Sequence, residues 1–203
     1  MSRSKASLKV AIDPVRKRHL NKFKTELKAY LAEKHVCETE IIRRDEKGVV
    51  IRDGVLNLPS RCDFMCISDD SKTLLDIQTV QTVDFKPVDV QVDDKLDLTI
   101  FPFSWDEVQI SFDTGDDPKR LLRLRLWYLE WFQSRKTEND SGLDGCLHSL
   151  RGPKRDGDIW HVCIDMGSAP TEALTELFHV MASRGVNRMT LGAELDRVEN
   201  EQI

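Results

Sequence analysis

The sequence predicts an α+β fold, and three features of its patterning carry that expectation. Apolar residues recur at helical spacing early in the chain, and they alternate with polar ones through its middle. They then crowd into one Trp-rich stretch that precedes a β-α-β pattern. The expected architecture is an N-terminal amphipathic helix, a mostly antiparallel sheet, a buried Trp-rich helix and a C-terminal β-α-β unit. These make a single domain over residues 14–193, with 1–13 a flexible basic tail and 194–203 a charged tail.

Asp13-Pro14 reads as a helix start, because Asp caps free N–H groups and Pro has none to satisfy in the first turn. Leu20, Phe23, Leu27, Tyr30 and Leu31 follow at three- and four-residue steps, giving a basic amphipathic helix over 14–34. Over 35–113 the period becomes two. Val88, Val90 and Val92 alternate with Asp89, Gln91 and Asp93, and the pattern repeats at Leu96, Leu98, Ile100 and at Val108, Ile110, Phe112. Polar residues between apolar ones imply one wet face and favour antiparallel pairing. Val49, Ile51, Val55 and Leu56 flank an Asp53-Gly54 turn signal, and a polar turn falls over Ser68–Lys72.

Asp116-Asp117-Pro118 opens a helix over 118–135, whose Leu, Trp, Tyr and Phe residues cover most of its circumference. Thr137–Gly145 and Arg151–Asp158 read as polar loops. A β-α-β unit spans 159–192: a strand Ile159–Met166, a helix bearing Ala173, Leu174, Leu177, Phe178 and Met181, a Gly185 cap and a strand Met189–Leu191.

The chain has 203 residues, thirty Lys and Arg against thirty-five Asp and Glu, and 40% hydrophobic residues, so disorder throughout is excluded. No apolar run approaches the roughly 18–20 residues a membrane-spanning helix requires. The net charge of −5 divides unevenly, with residues 1–34 at +7 and the remainder at −12. A basic arm on an acidic body is a pattern of contact with nucleic acid or another anionic surface, or of an arm lying on its own body. No secretory leader is read at the N-terminus, and five sparse cysteines imply free thiols, so a cytoplasmic location is expected.

Candidate chemistry is sparse. Asp63 followed by Asp76-Ile77-Gln78 partly resembles the PD-(D/E)xK nucleases, in which two strand carboxylates hold a divalent metal and a Lys assists the attacking water. Here Gln78 stands where that Lys belongs. Asp113-Thr114-Gly115 resembles the triplet of aspartic proteases, but one copy between strand and helix is explained by turn chemistry. Cys62 and Cys66, if on one strand, lie about 13 Å apart and cannot share a metal. Cys146-x-His148 and His161-x-Cys163 allow a zinc site on paper, yet buried cysteines are the ordinary outcome, and no cofactor is expected. Gly167-Ser168 sits before a helix without any phosphate-loop pattern.

The expectation is a non-enzymatic binding protein that engages a protein partner or a second copy of itself. Trp127, Arg123 and Trp131 are its candidate contact residues on the Trp-rich helix, and Arg16, Lys17 and Arg18 on the basic one. Two alternatives stand beside it: a metal-dependent nuclease using Asp63, Asp76 and Gln78, and nucleic-acid binding through residues 14–34.

Overall fold

A stripe of Leu8, Ile12, Val15, His19 and Phe23, all buried and spaced three or four apart, explains why the first helix is longer than its cap signal allows. In the computed structural model, which describes residues 3–33, 36–68, 71–78, 83–113, 118–133 and 143–192, α1 runs from Arg3 to Ala32 with Pro14 inside it. The predicted start at Asp13-Pro14 and the flexible tail over 1–13 are thereby corrected. Leu8, Ala11 and Ile12 bury enough surface to carry the helix through the missing Pro14 N–H. The carbonyl that loses its donor belongs to Val10, which is 75% exposed, so water is at hand to replace it. Asp13 instead accepts a hydrogen bond from the Thr171 hydroxyl at 2.8 Å. Pro14→Ala restores the missing donor, and we expect it to raise the urea midpoint by the equivalent of about 1–3 kcal/mol.

The strands are β1 (Val36–Ile42), β2 (Arg52–Asp53), β3 (Leu58–Pro59), β4 (Arg61–Ser68), β5 (Ser71–Leu75), β6 (Val88–Val92), β7 (Leu96–Ile100) and β8 (Val108–Asp113). After α2 (Pro118–Phe132) come β9 (Ser149–Asp156), β10 (Ile159–Asp165), α3 (Thr171–Ala182) and β11 (Arg188–Leu191). The fold is therefore α+β with mostly antiparallel pairing, as the patterning indicates.

The six-stranded sheet has the order β6-β7-β11-β8-β10-β9, and only β7 with β11 pairs in parallel. Alternation along β8 buries Val108, Ile110 and Phe112, which join residues of all three helices in one core. Gln109, Ser111 and Asp113 keep the opposite face polar. Both β10 and β11 are antiparallel to β8 between them, so β10-α3-β11 is a parallel β-α-β unit. The expected loop at Arg151–Asp158 is instead most of β9. Its Gly152, Pro153 and run of charges suit an edge strand, where no inner ladder partner is needed.

A smaller sheet, β1-β4-β5, packs on the far half of α1. Phe64 meets Phe23 at 5.8 Å and Tyr30 at 5.4 Å between ring centroids, both edge-on. Cys37 and Cys66, directly opposite in the β1–β4 ladder, form a disulfide, which corrects the expectation of free thiols at these positions. Val49, Ile51 and Val55 are exposed, and the pairing around the Gly54 turn is confined to β2 and β3. The Asp116-Asp117 cap, the Thr114-Gly115 turn, most of the loop at 137–145 and the 194–203 tail lie outside the described residues. Among the described residues no helix is long and apolar enough to cross a membrane.

Candidate functional site

Where the two sheets meet, the fold buries a set of polar side chains that an apolar core would exclude. His148 is at their centre, and its main chain is held on three sides. Its N–H donates to Asp165 O at 3.0 Å, while its carbonyl accepts from Arg61 N–H at 2.8 Å and from the Tyr128 hydroxyl at 3.2 Å. The ring is fully buried between two carboxylates. Nε2 lies 3.0 Å from Glu40 Oε1, and Nδ1 lies 3.0 Å from Asp63 Oδ1, the latter without the alignment of a hydrogen bond.

Glu40 reaches this point because β1 is distorted there. Its φ of 53° is left-handed, rare for a residue other than glycine and a strain that the surrounding contacts must hold. The register pairs Thr39 with Phe64 and Ile41 with Cys62, leaving Glu40 opposite Asp63. Oε1 of Glu40 accepts from the Ser168 hydroxyl and lies 3.4 Å from Cys146 Sγ, and Oε2 accepts from Asp144 N–H. Gly145 N–H in turn donates to Ser168 Oγ at 2.8 Å. Asp63 Oδ2 accepts the Ile77 N–H.

The electrostatics follow from this packing. Burial works against a charged His148, but Asp63, Cys146, Glu40 and Asp165 outweigh it and hold the pKa well above the ordinary histidine value. Burial likewise opposes ionised Glu40, yet His148, Ser168 and Asp144 N–H keep its carboxyl below the usual range. Burial pushes the Cys146 thiol up. Asp165, 3.9 Å from His148 Nδ1 and accepting Gly167 N–H at 2.9 Å, is pushed up to about 7, burial being the main cause. His19 on α1, also buried, is held below its usual value by that burial.

Asp165 is also the link to the outside. It lines an open cleft of about 920 Å³ between the two sheets, together with Arg43, Asp76, Asp106, Glu107 and Arg151. Arg43 pairs with Asp76, and Arg151 lies 3.1 Å from both Glu107 Oε1 and Cys163 Sγ. The cleft thus presents pairs of opposite charge.

The structure separates most of the residues that the sequence groups. Asp63 is turned inward to His148 and Ile77, while Asp76 is exposed and paired with Arg43. Gln78 is exposed too, and its carbonyl accepts from Lys22 Nζ. Two free carboxylates are therefore not presented to one metal at this place. Trp127 and Trp131 are core residues, with indole N–H groups on Ala173 O and Glu176 Oε2, each at 3.0 Å. The surface contact expected of them is corrected, since the core already covers both rings. Arg123 of the same helix is exposed, beside exposed Leu122 and Leu126. Arg16 donates to Ala169 O at 2.7 Å and Ser168 O at 3.1 Å, so it fastens α1 to the α3 entry, whereas Lys17 and Arg18 face solvent.

Cys146 and His148 do come together, but their companion is Glu40. His161 bonds Ser111 at 2.8 Å, and Cys163 adjoins Arg151. Asp113 Oδ1 accepts the Arg188 N–H at 3.1 Å, a strand-end role. Glu40 and Asp165 are not among the sequence candidates, and Ser168, weighed there only as part of a helix-start turn, is found on Glu40 instead. Strand alternation places Glu40 outward with Glu38, and no residue type near it marks the left-handed backbone that turns it in. No protein-family model, no curated protein sequence and no solved structure matches this chain.

Proposed function

We propose that this chain is a non-enzymatic binding protein whose cleft receives a charged segment of a protein partner. The observation that carries this reading is the cleft lined by Arg43–Asp76 and Arg151–Glu107 with Asp165 and Asp106. Sites for small apolar ligands are walled chiefly by aliphatic and aromatic side chains, and this lining is the reverse. Charges arranged in opposite pairs select a partner by complementarity and steer its approach, more than they add raw affinity. A partner segment carrying both signs could exchange with the internal pairs at little cost, since pairs as exposed as Arg151–Glu107 are individually weak.

The test is affinity capture with chemical cross-linking and identification of the captured chain. An Asp76→Lys/Arg151→Glu double variant reverses one member of each pair, and a Lys17→Glu/Lys28→Glu variant serves as the control on α1. We expect the control to capture the wild-type partner and the cleft variant to lose it by at least about tenfold, the equivalent of about 1.4 kcal/mol. Undiminished capture by the cleft variant would overturn the reading. Loss with the α1 variant alone, steepening with salt, would instead favour the basic helix and an anionic partner such as nucleic acid.

A further inference from the structure

Glu40, Cys146 and His148 bring three different metal-binding donors to one buried point. Glu40 Oε1, Cys146 Sγ and His148 Nε2 all lie within 4.8 Å of one another, and each residue is at most 1% exposed. We propose that this cluster is a structural zinc site, which is independent of the cleft and of what binds there.

The spacing fits the ion. A tetrahedral zinc with ordinary bond lengths separates an oxygen and a nitrogen ligand by about 3.3 Å, and a sulfur and an oxygen by about 3.5 Å. The corresponding separations here are 3.0 Å for Glu40 Oε1 to His148 Nε2 and 3.4 Å for Glu40 Oε1 to Cys146 Sγ. Shifts of a few tenths of an ångström admit the ion. The surroundings fit as well. A metal-bound histidine characteristically turns its other ring nitrogen to a carboxylate, and His148 Nδ1 faces Asp63 Oδ1 at 3.0 Å. Glu40 Oε2 is fixed by Asp144 N–H, so Oε1 is the oxygen turned to Cys146 and His148. The Ser168 hydroxyl, oriented by Gly145 N–H, donates to that same oxygen and holds the carboxylate in place.

The donors also select the metal. A thiolate with one imidazole and one carboxylate is a zinc set, whereas magnesium and calcium take oxygen ligands. Closure of the site on all sides marks a structural rather than a catalytic ion. On binding, zinc(II) takes the place of the Cys146 thiol proton and of any hydrogen on His148 Nε2, and the displaced protons pass to solvent. Nδ1 keeps facing Asp63 Oδ1.

The experiment measures metal in the full-length protein and then replaces it. We expect about one zinc per chain after purification, removal by a strong chelator with a fall in thermal midpoint, and recovery of that midpoint with zinc but not magnesium. Cobalt(II) added to the stripped protein should give a thiolate-to-cobalt charge-transfer band. Cys146→Ser should abolish the band, and Cys163→Ser, altering the partly exposed thiol beside Arg151, should leave it intact. If Cys146→Ser fails to fold, the wild-type titration decides by itself. A stripped protein that takes up neither zinc nor cobalt, or a band that vanishes in Cys163→Ser and persists in Cys146→Ser, would overturn the proposal.

Discussion

In the metal-stripped protein, His148→Ala is expected to destabilise the fold by about 3–5 kcal/mol, the range seen when one member of a buried ion pair is removed. The side chain is fully buried, and its loss leaves Glu40 and Asp63 facing one another without the positive ring between them. A cavity adds to the electrostatic cost, because an isosteric group is not there to fill the space. Denaturant unfolding measures the effect. The distinguishing result comes from a second variant, in which Glu40→Gln and Asp63→Asn accompany His148→Ala. Removing both negative charges should recover part of the loss, because the single variant suffers mainly from uncompensated charge. If the triple variant is as unstable as the sum of its parts, the three side chains do not act as one charged unit.

Gly167→Ala should cost about 2–4 kcal/mol, combining a left-handed backbone with an obstructed side chain. Gly167 has φ 48°, and a Cβ placed on it would run into the His148 ring and come within 2.7 Å of Cys146 O. Neither neighbour can retreat easily, since His148 is wedged between carboxylates and Cys146 O belongs to main chain. Gly48→Ala is the matched control. It has φ 79° with nothing within 4 Å of the added carbon, so it carries only the backbone cost of about 1 kcal/mol. A difference between the two variants isolates the steric part, and equal losses would show that the space at Gly167 relaxes.

The legible parts of this molecule were those that repeat. Alternation at Val88–Val92, Leu96–Ile100 and Val108–Phe112 located β6, β7 and β8, because one buried face forces a period of two on each strand. The β-α-β unit was legible for the same reason, its strands and helix each having one apolar face. Failures arose where tertiary contacts overrode a local signal. Asp13-Pro14 is a sound cap in isolation, but the burial of Leu8 and Ile12 outweighs one missing N–H. Gly152-Pro153 disguised an edge strand as a loop. Trp127 with Arg123 reads as a contact surface, but α3 covers its ring, which only the fold discloses.

The candidate site was half visible. Cys146-x-His148 is legible as a pair of donors, and the pair that shares its spacing is His161-x-Cys163. The complement is a lone glutamate more than a hundred residues earlier. Asp63 was singled out for a metal shared with Asp76, and its inward turn to His148 depends on a cluster assembled from β1, β4 and the segment before β9. Local pattern cannot specify a point where three distant segments meet.

The long first helix also sets the order in which the chain can be completed during synthesis. Arg16 bonds Ala169, 153 residues onward, and Asp13 bonds Thr171. At ribosomal rates of roughly 5–20 residues per second, some 8 to 30 seconds separate the emergence of α1 from that of its docking partners. Over that interval β1, β4 and β6 emerge and can dock on α1, but the side of the helix that α3 covers, from Leu8 to Arg16, is left open. The nascent chain therefore carries a half-covered helix until α3 arrives. Pulse-labelled chains stalled before residue 169 should associate with chaperones and be cut rapidly by protease, and those extended past β11 should resist both.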